Sequence, residues 1–363
     1  MEKLRIGFVG CGVIASAHAL SLEGLAKAGL VAAEISKVYD VDDHRTERFA
    51  RHFGAVAASG LAEVIDGSDA VYVCTSTAGH LEAVRAAAQA GRPIFCEKPL
   101  ARDLPETLSL VEAATVPTQV GLVLRTAPVF RRLGEIARSE EFGRPMAVLW
   151  RDDQFFPIQG HYASKWRSDV TIAGSGALLE HSIHDVDIMS ACFGQVAWVS
   201  ATVAGFSGFE GIEDSVSALM RLDSGLSVSL VSVWHQVLTR PSTRRVEVLF
   251  ERAFVSLDDD FTGPLTIQTS EGSETAECPP PDWVMAVPLP AGGIGLAVRP
   301  YLEENRSFVD AITKGEAPAP GLTEALAAHR VVDACYRSAA TGGAPMSLAD
   351  HQIGRGSSQG PVK

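Results

Sequence analysis

Cysteine pairs, long apolar runs and an excess of positive charge are all missing from this chain. Its six cysteines (Cys11, Cys74, Cys96, Cys192, Cys278 and Cys335) lie at least 22 positions apart. No CxxC pair exists to hold zinc or shuttle disulfides, and they read as reduced, mostly buried small residues. No window reaches the roughly 18 consecutive apolar residues of a membrane helix. Met1-Glu2-Lys3-Leu4-Arg5 runs at once into an apolar strand, leaving no room for a secretory leader, so a cytoplasmic protein is expected. Lys and Arg number 31 against 44 Asp and Glu, a formal charge of -13. A surface this acidic repels phosphate backbones and anionic headgroups, which argues against nucleic acid and membranes as partners. No internal repeat occurs. What is present is 46% apolar residues over 363 positions, enough at roughly 150 residues per domain for about two folded domains.

Leu4 to Val9 reads as a strand that meets Gly10-Cys11-Gly12 and then a helix to about Leu30. Further apolar runs end at Val38-Tyr39-Asp40, cover Ala70 to Cys74 and Pro93 to Cys96, and close near Gln119-Val120-Gly121, with helix-like stretches such as His80 to Ala90 between them. Alternating strands and helices predict an α/β Rossmann domain, a doubly wound parallel sheet, over residues 1–122. Beyond it the crossovers vanish. Met146 to Trp150, Val196 to Val203, Ser215 to Leu222, Ser227 to Val237 and Arg245 to Val255 are longer β-rich runs joined by turns such as Asp223-Ser224-Gly225. They predict an α+β domain over 123–363 with an open, mostly antiparallel sheet, one face of which helices or another subunit must cover. A helix is expected across Gly176 to Phe193, a loop across Cys278 to Gly293, and a frayed tail after Asp350.

Three groups of residues carry chemistry. Gly10-x-Gly12-x-x-Ala15 follows a strand and opens a helix: Gly10 permits the turn, Gly12 lets backbone approach a pyrophosphate, and Ala15 lets helix pack on strand. The free N–H groups at Val13 and Ile14 then face negative charge. Asp40, ending the second strand, can accept both ribose hydroxyls and repels a 2′-phosphate, favouring NAD, while nearby Arg45 leaves NADP open. His18 reads as packing. Second, Glu97-Lys98-Pro99 stands at the carboxyl end of a strand, where such sheets place ligands; Lys98 near low-dielectric surroundings can donate to or accept from a substrate hydroxyl, and Pro99 is a candidate cis residue. Third, Glu180 and His184 are four apart in Glu180-His181-Ser182-Ile183-His184-Asp185-Val186-Asp187, one helical face, as are His184 and Asp187. Histidine is suited to taking a hydroxyl proton near neutral pH, with Glu180 orienting it or binding a hydroxyl, although such spacing also describes metal ligands. Arg151-Asp152-Asp153-Gln154, Gly160-His161-Tyr162 and Lys165-Trp166-Arg167 mix charged, amide and aromatic groups in a way that suits a polyol. Asp153, Tyr162 and Arg167 are the substrate-binding candidates there.

Together these residues resemble the glucose-fructose oxidoreductase and inositol dehydrogenase family, Gfo/Idh/MocA, over nearly the whole chain. The matching motifs are Gly10-x-Gly12-x-x-Ala15 with His18, Thr75-Ser76-Thr77 leading to His80, Glu97-Lys98-Pro99-Leu100, Trp166-Arg167, and Gly174-Ser175-Gly176-Ala177-Leu178-Leu179-Glu180 through His184 to Asp187. The resemblance implies a nicotinamide cofactor contacted by Gly10, Gly12, Val13, Ile14, Asp40, Thr75, Ser76, His80, Glu97, Lys98, Trp166 and Arg167. It also implies hydride transfer at a secondary alcohol of a sugar or cyclitol, with Lys98 assisting and His184 as acid/base, and a homodimer or homotetramer through the second sheet. Three departures stand out: Glu180 where Asp is common, Ser182 where Gly is common, and Gly121-Leu122-Val123-Leu124-Arg125 without the frequent asparagine-arginine pair. The last suggests a different substrate rim that includes Arg125. The function expected is therefore an NAD(P)-dependent dehydrogenase or reductase with no metal, in which Lys98, His184 and Glu180 act on the substrate. An NAD-retaining glycosidase, a non-catalytic dinucleotide or sugar sensor, and a metal-dependent hydrolase are its rivals.

Overall fold

A computed structural model describes residues 3–139, 141–160 and 162–349; His161 and the tail expected to fray lie outside the described residues. Strands β1 (Leu4–Val9), β2 (Ala33–Tyr39), β3 (Val56–Ala57), β4 (Ala70–Val73), β5 (Ile94–Cys96) and β6 (Thr118–Val120) form a six-stranded sheet in the order β3-β2-β1-β4-β5-β6, with every pair parallel. Helices α1 (Val13–Lys27), α2 (Asp43–Phe53), α3 (Leu61–Asp66), α4 (His80–Gln89) and α5 (Leu104–Ala113) run between them. β4 is buried throughout, as a strand covered on both faces must be. The helix starts are written locally: Asp103 accepts from Glu106 N–H at 2.8 Å with Pro105 in the first turn of α5, and Asp42 caps α2 on Arg45 N–H. The strand order reverses between β1 and β4, and the glycine turn leaves the carboxyl end of β1 at that point.

After α6 (Pro128–Arg138) come β7 (Pro145–Phe155), α7 (Val170–Ala173), α8 (Ala177–Glu180), α9 (Ile183–Phe193), β8 (Val196–Ala204), β9 (Ser215–Leu222), β10 (Ser227–His235), β11 (Thr243–Phe250), β12 (Phe254–Leu257), β13 (Leu265–Thr269) and β14 (Gly272–Ala276). Helices α10 (Asp282–Ala286), α11 (Gly293–Val298), α12 (Tyr301–Lys314) and α13 (Leu322–Ala340) and a last short strand, β15 (Met346–Ser347), complete the described chain. The nine-stranded sheet runs β14-β13-β12-β11-β7-β10-β9-β8-β15 and is antiparallel except where β10 lies parallel to β7. Strict alternation along β9 and β10 turns Val216, Ala218, Met220, Val228 and Leu230 inward. There they meet Leu178, Ile183, Val186 and Met189 of α8 and α9 and Val331 of α13 in one core. Each such fully buried aliphatic side chain contributes about 1.5–3 kcal/mol. The opposite face exposes Leu149, Leu219, Val231 and Leu249.

Three expectations are corrected. The run Arg245 to Val255 is not one strand but the hairpin of β11 and β12, turned at Glu251-Arg252. Cys278 to Gly293 is not all loop, for it contains α10 and the start of α11. The helix across Gly176 to Phe193 breaks at His181-Ser182 into α8 and α9, because Ser182 Oγ donates to Asp152 at 2.9 Å and lies 2.6 Å from Ser232 Oγ, pulling the backbone toward the sheet.

Candidate functional site

Gly10 adopts φ +92°. A Cβ there would sit 2.5 Å from the Cys74 carbonyl oxygen and 2.7 Å from Thr75 N, so only glycine lets the end of β4 close against the turn. A Cβ on Gly12 meets nothing within 4 Å, and Val13 stands 60% exposed beside it. The N-terminus of α1 therefore opens on free space with no side-chain cap on its first N–H groups, those of Val13 and Ile14 among them. Asp40, buried at the end of β2, accepts Cys11 N–H at 2.8 Å and Asp42 N–H at 3.0 Å, one bond on each oxygen. Each oxygen keeps a lone pair for a further donor. Thr75 Oγ1 turns back to the Ser76 carbonyl, and Ser76 leads the short turn Thr77–Gly79. An open helix start, a close-packed glycine and a carboxylate at the neighbouring strand end fit the pyrophosphate and ribose of a dinucleotide.

The Lys98-Pro99 peptide is cis. Its loop is clamped from below by two buried histidines: His80 Nδ1 lies 2.9 Å from the Pro99 carbonyl, and Leu100 N–H donates to His329 Nε2 at 2.9 Å. His80 is only 1% exposed, with Nδ1 turned to the loop. A ring that starts α4 beneath the loop meets the loop's carbonyls and positions Lys98. Glu97 accepts Lys98 N–H at 3.2 Å and lies 2.8 Å from His18 Nε2. His18 is thus bound between Glu97 and Asn305 rather than merely packed. Lys98 Nζ donates to the Glu180 carbonyl at 2.8 Å. Burial, helped by the Arg167 charge, pulls its pKa down to about 8.

His184 opens α9 with its Nδ1 buried and unpartnered. Burial, then the Lys98 and Arg244 charges, hold it well below the ordinary histidine range, so the ring is neutral at pH 7. The Glu180 carboxylate does not hold it: one oxygen accepts from Thr77 Oγ1 at 2.5 Å and the other from Arg167 Nε at 3.1 Å. The break at His181 removes the shared helical face that suggested such a contact. Glu180 instead ties α8 to the turn after β4, and its main-chain carbonyl steers Lys98. Trp166 packs beside Phe156 and Ala173, with the Arg167 guanidinium 4.3 Å from its ring centre. Tyr162 is close enough for the Arg167 and Arg244 charges to act on its hydroxyl, which burial pushes up.

Two substrate candidates point elsewhere. Asp153 faces away from His184 and pairs with Arg151 at 2.9 Å and with Arg240, because successive side chains of a strand alternate faces. Its neighbour Asp152 is the one beneath the site, meeting His181 Nε2 at 2.9 Å and Ser182. Arg125 is committed to Asp187, donating to both carboxylate oxygens at 2.8 and 2.7 Å. Arg244 is not among the motifs read from the sequence, and Asp152, His181 and Thr77 stand inside quoted motifs without a role of their own. The alternation of Val148, Trp150 and Asp152 was the available signal for Asp152. Gly176 shows why small residues precede α8: a Cβ there would lie 1.8 Å from the Glu213 carbonyl oxygen. Among the described residues no three metal-ligating side chains converge.

Residues 4–122 match the GFO/IDH/MocA model, described as an oxidoreductase family with an NAD-binding Rossmann fold, and residues 130–256 match the GFO/IDH/MocA C-terminal domain. An inositol 2-dehydrogenase of Rhizobium meliloti (strain 1021) is 28% identical over 93% of this chain and 97% of its own. A myo-inositol dehydrogenase of Streptomyces leeuwenhoekii is 31% identical over 72% of this chain and 78% of its own. In structure, levoglucosan dehydrogenase in complex with NADH superposes with a TM-score of 0.83 at 22% identity, covering 96% of this chain and 99% of the other.

Proposed function

Since the chain belongs to the GFO/IDH/MocA family of NAD-binding oxidoreductases, we propose that it moves a hydride between NAD and a secondary alcohol of a sugar, sugar derivative or inositol, with Lys98 and His184 managing the proton. The observation that carries this is the amine of Lys98, fixed 2.8 Å from the Glu180 carbonyl at the end of α8, one helix break before His184 in the first turn of α9. NAD, when bound, takes up the hydride. The first turn of α1, from Gly12, holds the pyrophosphate and Asp40 the ribose, with Thr75 and Ser76 lining the same crevice. The neutral His184 accepts the hydroxyl proton, and the Lys98 ammonium donates a hydrogen bond to the same oxygen as charge develops on it. Glu180, bound by Thr77 and Arg167, keeps the two parts of the chain in register.

Purified protein mixed with NAD or NADP and either myo-inositol or levoglucosan, the compounds in the relatives' names, tests the reading through absorbance of the reduced nicotinamide. Net NADH formation supports a dehydrogenase; substrate consumption without it over many turnovers indicates the cofactor-retaining glycosidase. Among the described residues no helix is long and apolar enough to cross a membrane, and we place the enzyme in the cytoplasm. The exposed Leu149, Leu219, Val231 and Leu249 on the outer sheet face support a homodimer or homotetramer joined there.

A further inference from the structure

Ser232 of β10, Asp152 of β7 and Arg244 of β11 stand side by side across three strands. They form a polar end to a face that is apolar at Val148 and Trp150. Asp152 is fully buried, and a buried carboxylate must find partners. It finds Ser182 Oγ at 2.9 Å and His181 Nε2 at 2.9 Å, with Arg244 Nη2 at 3.5 Å. Arg244 is anchored in turn by Asp185 at 2.7 Å and by Asp260. The imidazole of His181 is therefore fixed in rotation at the point where the helix breaks. Nε2 faces the Asp152 carboxylate at 2.9 Å and Arg244 Nη2 at 3.2 Å; a carboxylate can only accept and is the nearer, so Nε2–H goes to Asp152 and Nδ1 carries the bare lone pair. It meets no hydrogen-bond partner among the described residues, and the side chain stays 16% exposed. Lys98 Nζ is held 2.8 Å from the carbonyl of Glu180, the residue that precedes His181 in the chain.

We infer that His181, oriented by Asp152, contacts the substrate and accepts a hydrogen bond from a hydroxyl other than the one oxidised, so that it selects polyols carrying that second hydroxyl. This rests on the oxidoreductase reading above. His184, whose Nδ1 has no partner among the described residues, takes the proton; His181, whose ring is held, reads the neighbouring position. A site with an oriented acceptor rejects the analogue lacking the matching hydroxyl, because the acceptor is then buried without a partner.

The test measures kcat and KM with NAD for whichever of myo-inositol and levoglucosan is turned over, and for its monodeoxy derivatives. Wild type, His181→Gln and His181→Leu are compared, with NADH binding as the check that each variant is folded. Wild type is expected to disfavour one monodeoxy derivative by about a hundredfold or more in kcat/KM. His181→Leu is expected to raise KM for the parent by roughly tenfold, with kcat within about threefold, and to erase most of that preference. His181→Gln, which keeps a donor for Asp152 and an acceptor for substrate, should fall between them. Should His181→Leu keep the full preference, or lose kcat alone, the inference is overturned while the oxidoreductase reading stands. Should wild type turn over neither polyol, that reading fails and the inference with it. If His181→Leu does not bind NADH, a wild type showing no preference among the monodeoxy derivatives overturns the proposal on its own, and His181→Gln decides the rest.

Discussion

His18 Nε2 lies 2.8 Å from Oε1 of Glu97, and the opposite ring nitrogen lies 3.1 Å from Asn305 Oδ1. Asn305 spends its amide N–H groups on Ser21 Oγ and the Tyr301 carbonyl, so its oxygen is the acceptor and His18 Nδ1 carries a proton. The glycine-turn helix, the Lys98 loop and α12 are thereby joined at a single buried ring. His18→Phe keeps the contacts with Tyr72 and Phe95 but strands Glu97 and Asn305. It should cost about 2–6 kcal/mol in urea unfolding, two unsatisfied groups at roughly 1–3 each, and lower kcat through the displaced Lys98. Unchanged stability and kcat would show that the ring only fills space.

Lys98→Ala and His184→Ala should each reduce kcat by roughly two to four orders of magnitude, the usual scale for groups that handle the proton. NADH affinity should change little in His184→Ala, because His184 belongs neither to the glycine turn nor to the expected cofactor contacts. Wild-type turnover in both variants would remove them from the chemistry.

The pH profile follows from the lowered pKa of Lys98, about 8. Below that value the amine is protonated and donates; as pH rises through it the charge is lost, so kcat/KM for oxidation should turn down above about pH 8. His184, held well below its usual range, is neutral on both sides of this step and does not mask it. In Lys98→Arg, slower but permanently charged, the turn should vanish. A downturn of the same position in the arginine variant would assign it to another group.

Asp40→Ala removes the acceptor for Cys11 N–H and Asp42 N–H together with the ribose contact. NAD should bind at least about tenfold more weakly, one or two charged hydrogen bonds' worth, and NADP should gain relative to NAD. Nucleotide titration followed by intrinsic fluorescence reads both. A ratio of the two affinities equal to that of wild type would leave Asp40 a purely structural brace.

Leu219→Glu with Leu149→Glu places charge on the outer sheet face, where both side chains are nearly half exposed. Sedimentation should then show a smaller species than wild type with NADH binding retained. If the two sediment alike, assembly does not use this face.

Much of this was legible because it is written in local periodicity. The parallel sheet follows from short apolar runs ending in Asp40, Cys74 and Cys96, and the open sheet from the strict alternation in β9 and β10. The glycine turn, Lys98 and His184 were legible as motifs. The rest depends on partners distant in sequence. Whether Asp152 or Asp153 faces the site is settled by strand register, and the interruption of the helix at His181 by Asp152 and Ser232 on separate strands. Arg244, 63 positions beyond His181, reaches it only after β11 has paired with β7. Helical spacing alone therefore joined Glu180 to His184, while the folded chain gives Glu180 to Thr77 and Arg167.

Helix α13 touches both halves of the crevice. His329 receives the N–H that follows the cis proline, and Tyr336, two turns later, bonds Ser175, the Leu179 N–H and Glu213 beside the segment that delivers His184. Seven residues of rigid rod, about 10 Å at 1.5 Å each, thus serve as a gauge block between amine and imidazole. One inserted residue between 329 and 336 would advance one anchor by about 1.5 Å and swing it roughly a quarter turn, putting the two out of alignment from the far side of the molecule without altering either.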